Sequence, residues 1–429
     1  MAGELNLRVV LARPTVPVLE TEQMVYALVE LRPAQDMPAT ALPLNLSLVL
    51  DQSGSMRGAK IERLREATEA VLRLLQPQDS ISVVAFNSKT RVLVPSRGLD
   101  EAGRRQVEDE IRRLKADGGT NMAPAMDAGL MELRKRTDQA PPGSVVSRMV
   151  LLTDGITEKE KRCLEQGSAA GALGIPIVGL GIGNDWNDKL MEGIAERSGG
   201  SADYVRSADE IPRHFQRTVR QMQAVALTNA RIEVRSSLGV TCRTIYRVHP
   251  LIGRIDTGPA LLANRRTDVS LGEIEQGHGQ TLLLEMVVPA RPPGSYRIAQ
   301  VGVTYDAPAQ RMSGQMARQD VLLEYSANPQ LLGNADPVIM NLVEKVTAFK
   351  LQTSALADLE AGNVPAATSK LQNAVTRLLN QGDTELAATV QEEISNLERG
   401  RVMTPEGRKT IRFGSGKTVR LDKLEEERS

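Results

Sequence analysis

Leu44-Asn45-Leu46-Ser47-Leu48-Val49-Leu50, followed at once by Asp51-Gln52-Ser53-Gly54-Ser55, is the stretch that decides the fold of this 429-residue chain. The first seven residues form a nearly continuous apolar run, the mark of a strand buried on both faces of a parallel sheet. A helix follows over Lys60–Leu75, with Ile61, Leu64, Ala67, Val71, Leu72 and Leu75 on one stripe. The same alternation continues downstream. Strands are predicted at 80–86, 91–94, 147–153, 175–182 and 202–206, and helices at about 100–115, 122–136, 158–172, 187–198 and 208–222. Repeated strand–helix units over 41–222 imply an α/β domain with a doubly wound, Rossmann-like sheet.

Outward from this region the pattern changes on both sides. Residues 4–12 and 23–32 read as strands, with the turn-rich 13–21 between them. After Gln223 come six more strand patterns, at 230–237, 240–248, 266–274, 280–289, 294–306 and 318–326, separated by Gly and Pro. Six strands make a thin antiparallel β-sandwich, and the strands of 1–40 need a sheet. Pairing the two groups makes 41–222 an insertion in one β-sandwich completed by 223–334. A C-terminal α-helical segment is expected over 335–400, opened by Asp336 as N-cap and Pro337 at the first helical position. Residues 401–429, rich in Gly, Lys and Arg without an apolar period, read as a flexible basic tail.

Composition removes several function classes. There are 53 Lys+Arg against 53 Asp+Glu, so the basic excess expected of a nucleic-acid binder is missing. Aromatics are 3%, too few for base-stacking platforms. His214, His249 and His278 are far apart in sequence and in no metal-ligand spacing, and Cys163 and Cys242 form neither a CxxC pair nor a disulfide framework. The start carries no signal-peptide pattern, and no run approaches the roughly 18 apolar residues of a membrane span. A cytoplasmic protein without a membrane span is expected.

The chemistry concentrates at the carboxyl ends of the buried strands, where open parallel sheets bind ligands. Asp51, Ser53 and Ser55 place a carboxylate and two hydroxyls at alternate positions of a tight loop. Gly118-Gly119-Thr120-Asn121 opens a helix, and Thr153-Asp154-Gly155 closes a strand. Asp51, Ser53, Ser55, Thr120 and Asp154 form an all-oxygen set, which selects Mg2+, Mn2+ or Ca2+ over Zn2+. Other motifs lead nowhere. Gly414-Ser415-Gly416-Lys417-Thr418 mimics the end of a P-loop, but its first Gly would fall on Ile411. Gly179-Leu180-Gly181-Ile182-Gly183 is not GxGxxG, since Asn184 stands at the last position. Asp154 as an aspartyl nucleophile lacks a carboxylate two residues on, where Ile156 stands.

DQSGS, the GGT loop and LLTDG, in this order and on these elements, closely resemble the von Willebrand factor A domain. Its metal-ion-dependent adhesion site has the pattern D-x-S-x-S…T…D, and all five positions match. The resemblance implies that Ser53 and Ser55 bind the metal directly and Thr120 directly or through water. It also implies that Asp51 and Asp154 act directly or through waters, and that a partner's Asp or Glu carboxylate fills the open position. The flanking β domain is similar to bacterial relatives of inter-alpha-trypsin inhibitor heavy chains and of calcium-activated chloride channel homologues.

The expected function is therefore a non-enzymatic, divalent-metal-dependent protein–protein interaction module. The alternative is an adaptor or substrate-recognition subunit for a separate AAA+ ATPase, as in magnesium chelatase and MoxR-type systems. A hydrolase is disfavoured because no His, Lys or spare carboxylate stands at a motif position as general base. Helix 208–222 runs almost directly into the next strand, which suggests that site occupancy is passed to the β domain. In the tail, six basic residues surround Thr410 and Thr418 over 401–420 against Glu406 alone, marking a candidate kinase site or docking peptide.

Overall fold

The computed structural model describes residues 4–34, 42–141, 144–255 and 265–416. The chain divides into two compact units, 40–225 and a second built from 1–39 with 226–429. Three strands precede the first unit: β1 (Leu5–Leu11), β2 (Thr15–Pro17) and β3 (Gln23–Pro33).

Unit 40–225 alternates β4 (Leu44–Asp51), α1 (Ala59–Leu74), β5 (Ser80–Phe86), β6 (Thr90–Gly98), α2 (Glu101–Arg112), α3 (Ala123–Thr137) and β7 (Val146–Thr153). It continues with α4 (Glu160–Ala172), β8 (Ile177–Ile182), α5 (Asp188–Ser198), β9 (Ser201–Val205) and α6 (Ile211–Gln223). The strand order is β6-β5-β4-β7-β8-β9. Only β6 is antiparallel to its neighbour. This is the Rossmann-like doubly wound sheet, with β4 at its centre.

Every residue of β4 is buried, which explains its unbroken apolar run. Leu44, Leu46, Leu48 and Leu50 enter one core with Leu64, Val71, Phe215 and Val219 of α1 and α6. Ser47 and Val49 take the opposite face under α3, where Gly129 lets the helix approach. A Cβ on Gly129 would lie 2.8 Å from Val49 Cγ2 and 2.9 Å from Met149 Cε. Asn45, the polar interruption, is fully satisfied in the interior. Its amide donates to Leu133 O (2.8 Å) and Ser147 Oγ (3.0 Å) and accepts from Ser80 Oγ (3.0 Å).

The GLGIG run acquires its meaning here. Glycines of β8 clear space for what lies on the sheet: a Cβ on Gly179 would meet Met191 Cε at 2.7 Å, and one on Gly181 the Trp186 ring at 2.1 Å. Gly183 turns the chain with φ +66°. These are packing glycines, unrelated to phosphate binding.

The other unit holds β10 (Val225–Ser236), β11 (Thr241–His249), β12 (Gly253–Ile255), β13 (Arg266–Glu275), β14 (Gln280–Val288), β15 (Gly294–Ala307) and β16 (Met312–Ser326). Among the described residues they form two five-stranded sheets, β1-β3-β14-β11-β12 and β13-β10-β15-β16-β2. The N-terminal strands do find their sheet in the later segment, since β3 pairs antiparallel with β14 over Gln23–Leu31. Three details differ from expectation, the first being β12, which lies outside the six predicted strands and pairs with β11. The stretch 13–21 contains β2, and β2 runs parallel to β16, so the sandwich is not wholly antiparallel.

Four helices follow: α7 (Pro337–Glu360), α8 (Val364–Asn380), α9 (Thr384–Glu398) and α10 (Pro405–Ser415). Asp336 caps α7, accepting from Val338 N–H (2.9 Å) and Ile339 N–H (3.2 Å). Ile339, Leu342 and Val346 of α7 pack with Leu28, Tyr246 and Leu283 on the back of the first sheet. That sheet is thereby covered on both faces, and β14 is buried almost throughout.

The expectation of a flexible tail over 401–429 is overturned for 405–415. Thr404 caps α10 by accepting from Gly407 N–H (2.9 Å), and Thr404 N–H donates to Glu393 Oε2 (2.9 Å). Ile411 enters the helical core with Leu386, Val390 and Ile394. Arg412 pairs with Glu360 (3.3 Å), joining the basic segment to the acidic helices. One apolar anchor in a short helix makes no visible period, although Thr404-Pro405 carries the same start signal as Asp336-Pro337. Thr410 is 8% exposed, which removes it as an accessible kinase site. Thr418 lies outside the described residues. Ile411→Ala is expected to destabilise this unit by about 2–4 kcal/mol in denaturant unfolding, where a flexible tail would register nothing.

Candidate metal centre

Three loops meet at the carboxyl ends of β4 and β7, held together by main-chain hydrogen bonds. Gln52 N–H donates to Phe86 O (2.8 Å), Asp117 N–H to Gln52 O (2.8 Å) and Gly54 N–H to Gly118 O (2.9 Å). Glu158 N–H reaches Thr120 O (3.3 Å), tying the second loop to the third. Gly118 takes φ +78° at the sharp bend, a conformation that glycine adopts without steric cost.

On this frame the five expected side chains come together. Asp51 is fully buried, and both its oxygens are engaged: Ser53 N–H donates to Oδ1 (2.7 Å) and Thr153 Oγ1 to Oδ2 (2.6 Å). Ser53 Oγ and Ser55 Oγ are 3.0 Å apart. Ser55 Oγ donates to Asp154 Oδ1 (2.6 Å), and Asp154 is also fully buried. Thr120 Oγ1 borders the same space across Gly155. A Cβ on Gly155 would stand 3.5 Å from Thr120 Oγ1 and 3.8 Å from Ser55 Oγ, so Gly155 leaves that mouth clear. Burial pushes the Asp51 carboxyl above the usual carboxylate range, against the hydrogen bonds from Thr153 and Ser53, which favour the charged form.

Two contributors are not evident from motif reading. Thr153 sits beside Asp51 because β4 and β7 are in register from Leu44↔Val146 to Leu50↔Leu152. Lys60, in the first turn of α1, places Nζ 2.5 Å from Asp154 Oδ2. A strand-end alignment could have revealed the first; nothing in the spacing reveals the second.

The donor set fits a hard divalent cation. Adjacent ligands of an octahedral Mg2+ at 2.0–2.1 Å lie ~2.9 Å apart, close to the 3.0 Å between the two serine hydroxyls. Two carboxylates and three hydroxyls offer oxygen alone. Among the described residues no group of three or more His, Cys, Asp or Glu is arranged to hold a metal, so a cation site would depend on this mixed set.

A model of the von Willebrand factor type A domain matches residues 45–217. Residues 45–217 are a von Willebrand factor type A domain. A second model, of the Sll0103-like, C-terminal alpha-helical domain, matches 337–421 and so takes α10 into the helical domain. The uncharacterized protein sll0103 of Synechocystis sp. is 28% identical over 388 residues, covering 88% of this chain and 89% of that one. Human inter-alpha-trypsin inhibitor heavy chain H4 is 29% identical over 208 residues, 46% of this chain. The match spans only 22% of that relative's length. Among solved structures, a von Willebrand factor type A protein from Catenulispora acidiphila matches with a TM-score of 0.77 at 17% identity, covering 97% of each chain. That is a likeness of fold.

Burial pushes the Cys163 thiol up to about 11, and the Cys242 thiol in the other unit up to about 12, so neither is a thiolate nucleophile at neutral pH. Among the described residues no helix is long and apolar enough to cross a membrane.

Proposed function

We propose that this chain is a non-enzymatic interaction module that binds a partner protein's Asp or Glu carboxylate through Mg2+ held by Asp51, Ser53, Ser55, Thr120 and Asp154. The observation that carries this reading is the convergence of those five side chains from three loops on the carboxyl edge of the sheet. When bound, the cation supplies a Lewis-acidic centre that accepts one more oxygen ligand. The residues of the chain prepare that position. Asp51 accepts from the Ser53 N–H and the Thr153 hydroxyl, and Asp154 from the Ser55 hydroxyl and the Lys60 ammonium, so few charged groups would contact the cation and its electrophilicity would be preserved. Ser55 and Ile156, both exposed, form the mouth that a partner meets, with Ile156 offering an apolar contact beside the carboxylate. Type A domains are a family of protein-interaction modules, which supports the binding role. The two free thiols, Cys163 and Cys242, support a cytoplasmic location.

The test is capture from native extract on immobilised full-length chain, in Mg2+ and in EDTA, beside Asp154→Ala. Proteins retained in Mg2+ are expected to elute with EDTA and to be missing from the variant. Equal retention in EDTA rejects the metal bridge.

A further inference from the structure

Lys60 is the unassigned group of the site. Its Nζ lies 2.5 Å from Asp154 Oδ2 and its side chain is 29% exposed, while Asp154 is fully buried. The other oxygen of the same carboxylate, Oδ1, takes the Ser55 hydroxyl at 2.6 Å. Lys60 therefore holds one end of the carboxylate whose other end orients a hydroxyl of the metal set. It also changes the charge. Asp51 and Asp154 alone carry −2, which a divalent cation cancels. With the ammonium included, the occupied site keeps one net positive charge.

That difference bears on what the site can bind. A neutral occupied site attracts an anionic side chain only through the open coordination position, whereas a site of net +1 also attracts it through the local field. We propose that Lys60 is a positioning and charge-setting residue: it weakens the hold on the cation and strengthens the hold on an incoming carboxylate. The inference rests on the metal-dependent reading above and deepens it by naming what makes the occupied site selective for anions.

Full-length wild type, Lys60→Met and Lys60→Arg are compared with Mn2+ as the probe cation. Water-proton relaxation reports bound Mn2+, and acetate titrated into the loaded protein reports loss of metal-bound water. Lys60→Met keeps the aliphatic stem and is checked for folding by circular dichroism. It is expected to bind Mn2+ roughly two- to fivefold more tightly and to need at least about twofold more acetate for the same displacement of water. Lys60→Arg, which keeps the charge, is expected to restore both values towards wild type. The proposal is overturned if Lys60→Met leaves both affinities unchanged, or if it weakens Mn2+ and acetate together, the pattern of a purely structural prop. Should wild type bind no Mn2+ at millimolar concentration, the metal reading itself fails and takes this inference with it.

Discussion

Asp51→Asn is expected to erase the stabilisation of this protein by Mg2+ while leaving its metal-free melting temperature within a few degrees of wild type. A cation present at a hundredfold excess over its Kd adds about 2.7 kcal/mol to a folded state that alone binds it. For a domain of this size, that corresponds to a rise of roughly 5–10 °C. The substitution removes one of the two carboxylates of the site without changing side-chain shape. In the metal-free protein two effects oppose each other. The amide oxygen replaces only one of the two acceptors, so the NH2 faces Ser53 N–H or Thr153 Oγ1 donor to donor, and a buried donor left unpaired costs about 1–3 kcal/mol. Against this, burial already disfavours the Asp51 charge, so neutralising it relieves a desolvation cost. The near-cancellation makes the Mg2+ response a clean readout. A full Mg2+ shift in Asp51→Asn, measured by differential scanning calorimetry, would remove Asp51 from the metal set.

A large loss of stability is expected from one methyl group at Gly181. Its Cβ would stand 2.1–2.4 Å from three carbons of the Trp186 ring, which is 3% exposed and anchored by its Nε1–H to Gly183 O (2.7 Å). The ring cannot yield without losing that bond, and Gly181 lies in β8 between β7 and β9, so the backbone is held on both sides. Gly181→Ala is expected to cost about 3 kcal/mol or more, at or above the usual range for overpacking. Trp186→Ala alone is expected to cost about 3–5 kcal/mol through the cavity it leaves. In the double variant the new methyl enters that cavity, so the combined loss should fall short of the sum by about 1–3 kcal/mol. Additive losses in urea titrations would mean that Gly181 and Trp186 do not share this space.

Both results depend on features that differ in how readable they are from the chain. The central strand and its metal loop are local: LNLSLVL announces burial on both faces, and DQSGS follows it directly. Strand and helix patterns of the type A domain likewise fall within a few residues of the structure, because each amphipathic stripe faces a single sheet. Short elements with one anchor were harder to read. β2 has three residues, follows Pro14 and ends on Pro17, and α10 owes its place to Ile411 and to the Thr404–Glu393 contacts, none of which makes a period. Lys60 reads as an ordinary solvent-facing helix residue until α1 is seen against the loop after β7.

By itself, the sequence determined the class of fold, the insertion of an α/β domain between strands of a β-sandwich, and the five oxygen-bearing residues of the candidate site. These follow from periodicity and from donor types, which are properties of neighbouring residues along the chain. Tertiary structure alone decided the rest: that a basic C-terminal stretch is a packed helix, that GLGIG makes room for Met191 and Trp186, and that a lysine neutralises one of the site's two carboxylates. Each depends on groups distant in sequence meeting at van der Waals or hydrogen-bond range, and a one-dimensional pattern does not encode that approach.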